Sequence, residues 1–241
     1  MFNDALRNAG FDENYRVNQK NQHVSLVNKG RKLSQERSGS AGFDDNYSIN
    51  WGNEHVSLLN QGKEVQLSLD RTSGGGFKSK KDFASGFFKM KIKLPSKDTA
   101  GVVTAFYVPT NALNMFFIDD IPIRVYNNTK KGVGYPTGTM QVVVSLWDGS
   151  EWATDGGKTK ADYANAPFQA HFQDFTIDGC ASPNAKPDKD CYDPKYWWNC
   201  KDYWQLNPIE LKAYEEKKKY INYDYCTDKG RYPTPPPECV G

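Results

Sequence analysis

The chain has 241 residues, with 14% aromatic residues inside a hydrophobic total of only 38%, and a formal net charge of +2. That length permits one large domain with a sizeable core, or a domain plus an appendage. Its charges are interleaved, without the one-signed stripe that a phosphate backbone requires, and no apolar run approaches the roughly 20 residues of a membrane helix, so neither nucleic acid nor membrane is an expected partner.

The first feature along the chain is a repeat. FDENYRVNQKNQHVSLVNKG, from Phe11, returns as FDDNYSINWGNEHVSLLNQG from Phe43. Two copies of one strand-forming segment cannot share one edge position. The first copy decays into the polar RKLSQERSGSAG and carries Gln19 and Lys20 where the second carries Trp51 and Gly52. Residues 1–42 therefore read as a duplicated, loosely held segment.

The second copy continues into KEVQLSLD, where Val65, Leu67 and Leu69 alternate with polar neighbours as a half-buried strand does. SGFFKMKIKL, AGVVTAFYV, IPIRVY, MQVVVSLW and FQAHFQDFTI repeat the theme, each bounded by Gly, Pro or Asn. Many short strands with turn signals and scarcely any helical period predict an all-β sandwich. GGGFKSK is not a phosphate loop, because Phe77 stands where that motif needs glycine, and it reads as a glycine-rich strand connection. The spacing predicts one helix over PIELKAYEEKKKYINY, with Pro208 in its first turn, Glu210 near its start and Lys217 to Lys219 near its end. The proline-rich RYPTPPPEC after it is expected to lie extended over the surface.

Five cysteines, Cys180, Cys191, Cys200, Cys226 and Cys239, lie in the C-terminal part without the close C-x-x-C pairs of a zinc site, and His171 is the one histidine near them. Disulfides in an oxidising compartment are favoured over metal, with one thiol left over. No metal or cofactor is expected. The opening MFNDALRNAGFDENYRV shows no secretory signal pattern, so the cysteines alone argue against the cytosol at this point. Asn46-Tyr47-Ser48 and Asn127-Asn128-Thr129 are glycosylation sequons, a triplet that also arises by chance.

Six stretches together resemble the plant xyloglucan endotransglucosylase/hydrolases of glycoside hydrolase family sixteen: NWGNEHVSLLNQGKEVQLSLD, SGFFKMKIKLPSKDTAGVVTAFY, DDIPIRVYNN, SLWDGSEWATDGGKTKADYANAPF, YWWN and DYCTDKGRYPTPPPEC. The resemblance covers roughly residues 43–108 and 115–241. It implies a concanavalin-like jelly roll with a polysaccharide cleft, internally truncated here, over residues 43–170, and a C-terminal extension over 171–241. In such proteins a strand reading H-D-E-x-D-x-E-F follows AFY. Period two puts its three alternate acids on one face, and a retaining glycosidase needs two carboxyls about 5 Å apart as nucleophile and acid/base.

No such stretch occurs in the 241 residues, and after Val108 the text passes to PTNALNMFFIDDIPIRV, which is similar to a later family strand. A block carrying the catalytic carboxylates is read as deleted, so no catalytic residue is assigned. Asp119 and Asp120 are no substitute, since consecutive strand residues face opposite sides. By the same resemblance Trp152, Gly156, Gly157 and Arg231 are the candidate substrate-binding residues, with the Trp152 ring on a sugar face and the Arg231 guanidinium on its hydroxyls. Trp197 and Trp198 are equally well core rings. The resemblance also pairs Cys180 with Cys191 and Cys226 with Cys239, leaving Cys200 free. The implied protein is a secreted monomer of the cell wall or apoplast that binds xyloglucan without cleaving it. Two rival readings are an active enzyme using other acids, and the product of a decayed gene or a faulty gene model, without stable function.

Overall fold

The computed structural model of the chain describes residues 24–27, 42–108, 113–118, 121–127, 138–182, 189–200, 205–220 and 224–239. Eleven strands run through them: β1 (Val24–Val27), β2 (Tyr47–Trp51), β3 (Val56–Leu59), β4 (Glu64–Leu69), β5 (Gly75–Ser79), β6 (Phe83–Lys93), β7 (Val102–Tyr107), β8 (Leu113–Ile118), β9 (Ile121–Asn127), β10 (Val143–Asp148) and β11 (Phe168–Ala181). They form two antiparallel sheets, one ordered β3-β4-β11-β6-β1-β8-β9 and one ordered β2-β5-β10-β7. This is a sandwich consistent with the jelly roll read from the sequence. A short helix, α1 (Phe43–Asn46), precedes β2, and α2 (Pro208–Lys218) lies in the C-terminal part.

The core follows from period two. Successive strand residues face opposite ways, so every second residue of β4, β6 and β11 is driven inward by its apolar surface. Val65, Leu67 and Leu69, Phe88, Met90 and Ile92, and Phe168, Ala170 and Phe172 are all buried. Val144 and Leu146 of β10 face them from the other sheet. One end is closed by rings: Phe77 meets Phe43 edge-on at 5.3 Å and Phe172 at 5.5 Å. Fully burying each such side chain contributes about 1.5–3 kcal/mol.

The segment read as loosely held supplies an interior strand. β1 comes from the first copy of the repeat, and its register sets Val24 opposite Ile92 and Leu26 opposite Met90 on β6, with Leu26 also opposite Ile118 on β8. The second copy forms β3 at the edge of the same sheet, where Val56 stands opposite Leu67 and Leu58 opposite Val65. In the sheet order β1 is all that joins β6 to the β8–β9 hairpin. The remainder of residues 1–41, and Asp119 and Asp120, lie outside the described residues.

β11 crosses the boundary expected at residue 170. Its residues as far as Ala181 pair with β6, so the sheet extends into what the sequence assigned to the extension. From there Cys180 is bonded to Cys191, and Cys226 to Cys239, while Cys200 is a free thiol. Ser85 on β6 donates its hydroxyl to the Cys191 carbonyl at 2.6 Å and accepts from Trp198 Nε1 at 3.1 Å. Trp197 packs on Phe87 at 5.1 Å and Trp198 stacks on Tyr196 at 4.8 Å, so both rings fasten the extension to β6. Helix α2 starts where the sequence places it. Asn207 Oδ1 accepts from the Ile209 and Glu210 amides, and Glu210 Oε2 accepts from the Asn207 amide, each within 2.9 Å. That reciprocal cap satisfies amides that have no partner inside the helix.

Candidate functional site

The outer face of the four-stranded sheet is set by register. Gly76, Ser145 and Ala105 form one row across β5, β10 and β7, and Lys78, Val143 and Tyr107 form the next. Trp147 and Val103 stand opposite each other on the other side of the small row. The side chains of the middle row are the smallest, so it lies lower than the rows that flank it.

Trp51 reaches this face through an irregularity. Simple alternation from the buried Tyr47 would point Ile49 and Trp51 inward, but the β2–β5 register shifts between them and brings Trp51 opposite Gly76. A Cβ on Gly76 would stand 2.6 Å from Trp51 Nε1, so only glycine leaves room for the ring. The glycine run of GGGFKSK thus lets neighbouring groups approach β5 closely, as a strand and not a phosphate loop.

Trp152 sits in the loop after β10, where its ring centroid lies 5.9 Å from that of Trp147. The loop is braced by short contacts. Gly149 N donates to the Gly101 carbonyl at 2.8 Å, Gly101 N to Thr154 Oγ1 at 2.9 Å, and Ala161 N to Ser150 Oγ at 2.9 Å. At its base Asp148 accepts from Ser150 N and from the Tyr163 hydroxyl, both at 2.8 Å. Burial alone would raise the Asp148 carboxyl, but the hydrogen bonds from Ser150 and Tyr163 and the Lys160 charge outweigh it and hold it below its ordinary value. The Tyr163 hydroxyl is pushed up to about 12, first by burial and then by its bond to Asp148.

A carboxyl lowered by folding stabilises the fold above its unfolded value, and that contribution is lost as pH falls through the folded one. Thermal midpoints measured downward from neutral pH should therefore fall more steeply for the wild type than for Asp148→Asn once the solution is more acid than about pH 4.

Gly156 and Gly157 build the turn below Trp152. Both have positive φ, +65° and +84°, and a Cβ at Gly157 would lie 2.1 Å from the Glu151 carbonyl oxygen, whereas one at Gly156 would meet nothing within 4 Å. Gly156→Ala should cost about 1 kcal/mol of left-handed strain, and Gly157→Ala about 3 kcal/mol because backbone must also move. Thermal unfolding of the two variants checks the difference.

Arg231 belongs to another part of the fold. Its amide donates to Asp228 Oδ1 at 3.0 Å and its guanidinium lies 6.0 Å from the Tyr232 ring, which neighbours Tyr225. Tyr225 in turn accepts from Arg124 of β9 at 2.8 Å, so Arg231 sits toward the β9 end of the seven-stranded sheet. The structure therefore gathers Trp152, Gly156 and Gly157 in one loop and holds Arg231 on a separate element. Trp51 and Trp147 were missed as surface rings.

The four strands below this face, YSINW, GGFKS, VVTAFY and VVSLWD, carry one carboxylate, Asp148. Among the described residues no group of three or more His, Cys, Asp or Glu could hold a metal ion.

Comparison with known proteins agrees with the fold. Residues 43–114 and 110–165 match Glycosyl hydrolases family 16 in two pieces, and residues 192–239 match the xyloglucan endo-transglycosylase C-terminus. Xyloglucan endotransglucosylase/hydrolase protein 2 of Arabidopsis thaliana is 41% identical over an alignment of 239 positions that takes in 73% of this chain and 81% of the relative. Protein 3 of the same plant is 40% identical over 235 positions, with the same two shares. Xyloglucan endotransglucosylase protein 2 of Diospyros kaki is 35% identical over 238, covering 73% and 80%. On matched segments and identity alike, the chain belongs to the xyloglucan endotransglucosylase/hydrolase family within glycosyl hydrolases family 16.

Proposed function

We propose that this chain is a xyloglucan-binding protein of the plant cell wall that lacks its family's cleavage and transfer chemistry. One observation carries the reading: a retaining glycosidase needs two carboxyls about 5 Å apart, and among the described residues the strands of the tryptophan-lined sheet supply only Asp148, which is engaged by Ser150 and Tyr163. Two further facts support it. The family match breaks into two pieces around residues 110–114, and the aligned spans are longer than the share of this chain they contain, so each relative carries residues that this chain lacks. The four-stranded sheet also ends at β7, just before that break.

Binding survives such a loss because it rests on other groups. Aromatic faces stack on the apolar side of a sugar ring, and charged donors hold its hydroxyls, each contact contributing on the order of 1 kcal/mol. The ligand is xyloglucan or a related neutral polysaccharide, the location is the apoplast, and the two disulfides suit that compartment. The dilute protein is a monomer.

Affinity electrophoresis in xyloglucan gels tests this. The wild type should be retarded, and the double variant Trp152→Ala, Arg231→Ala should run close to its mobility in a blank gel. Equal retardation of the two proteins would contradict the assignment of these residues.

A further inference from the structure

The repeat gives the sheet a strand it can accept from more than one source. Both copies contain His-Val-Ser-Leu, and both use it with the same register logic. Val24 and Leu26 stand opposite the buried Ile92 and Met90, while Val56 and Leu58 stand opposite the buried Leu67 and Val65. In both copies the serine pairs with a polar residue, Ser25 with Lys91 and Ser57 with Gln66. One copy serves at an edge and the other between two strands, so these residues fit whatever antiparallel partner offers apolar residues at alternate positions.

β6 is such a partner on one side of the β6–β8 interval, and β8 closes the other side by pairing Ile118 with Leu26 and Phe117 with Val27. β6 is anchored by β11 along its length and β8 by β9, so neither relies on β1 for its other ladder. β1 itself is four residues long and is separated from α1 by residues 28–42, which include the polar stretch RKLSQERSGSAG. A connection of that length reaches up to about 50 Å when extended, far enough to enter a neighbouring molecule.

We propose that the β6–β8 interval is a strand-acceptor site and that its partner is a second copy of this chain, which can donate its own Val24–Val27 to give a strand-exchanged dimer. The tethered strand has the advantage of high effective concentration, so the closed monomer prevails when dilute and the exchanged form grows with protein concentration. Exchange costs little because each copy recovers the pairing it gives up.

The test uses two full-length variants, both carrying Cys200→Ser to remove the native free thiol, one with Ser25→Cys and the other with Lys91→Cys. They are mixed at high concentration, incubated, and oxidised with copper phenanthroline. The expected result is a thiol-reducible heterodimer whose bond maps between positions 25 and 91, with a yield that rises with concentration. A mixture of Ser25→Cys with Lys63→Cys, an exposed position outside the register, should give at least tenfold less. A single chain carrying both Ser25→Cys and Lys91→Cys separates the alternatives. If it closes internally while the mixture yields no more than the control, exchange is refuted. If neither links, the acceptor site itself is refuted.

Discussion

Removing residues 1–41, or placing proline at Leu26 in the full chain, is expected to destabilise the folded monomer severely. The seven-stranded sheet would then fall into β3-β4-β11-β6 on one side and the β8–β9 hairpin on the other, because β1 alone lies between them. Proline removes a strand amide and its ring crowds the ladder, which interior strands do not tolerate. Met90 and Ile92, both buried, would lose the strand that pairs beside them at the register positions of Leu26 and Val24. Exposing two such side chains costs about 3–6 kcal/mol, a large part of the roughly 5–15 kcal/mol that holds a domain together. Thermal unfolding with light scattering should show a much lower midpoint and early aggregation through the open edges of β6 and β8. A midpoint within a degree or two of the wild type would mean that β1 carries no part of the fold.

The second large effect is a gain. Inserting a family block with the H-D-E-x-D-x-E-F strand after Val108 should raise transfer to a fluorescent xyloglucan oligosaccharide from undetectable to measurable. The position suits the fold, since β7 is the last strand of its sheet among the described residues and the inserted strand would extend that sheet beside Tyr107. The chemistry requires it: without a nucleophile there is no glycosyl-enzyme intermediate, and without the intermediate nothing exists for water or an acceptor sugar to intercept. Hydrolysis and transfer should therefore appear together or not at all. Tight binding does not substitute, because holding ground state and transition state equally well leaves the chemical step unaccelerated.

What could be read from the sequence was what local rules decide. The alternation in β4 names Val65, Leu67 and Leu69 as core because each strand residue must choose one of two faces. Helix α2 is announced by Pro208 and Glu210, and the structure adds Asn207, with which Glu210 completes the cap within four residues. The disulfide pairing needed the family resemblance, since spacing alone leaves several connectivities open.

Other features depended on partners distant in sequence. The two copies of His-Val-Ser-Leu are locally the same, yet one lies at an edge and one in the interior, and only the identity of the flanking strands separates them. Trp51 was hidden by the register shift in β2, which turns it outward against the alternation begun by Tyr47. Trp152 and Arg231 are both named by motifs, but no motif tells that one is carried by the β10 loop and the other beside β9.

The central claim is binding without cleavage, and a single experiment measures it. Xyloglucan and a fluorescent xyloglucan oligosaccharide are incubated for a day with the unmodified chain, at a protein concentration that retards it fully in xyloglucan gels, and the mixture is resolved by size-exclusion chromatography. The predicted result is a polymer of unchanged molar mass with all fluorescence eluting as free oligosaccharide. A fall in polymer mass, or fluorescence carried into the polymer peak, would show that carboxylates elsewhere in the chain perform the reaction.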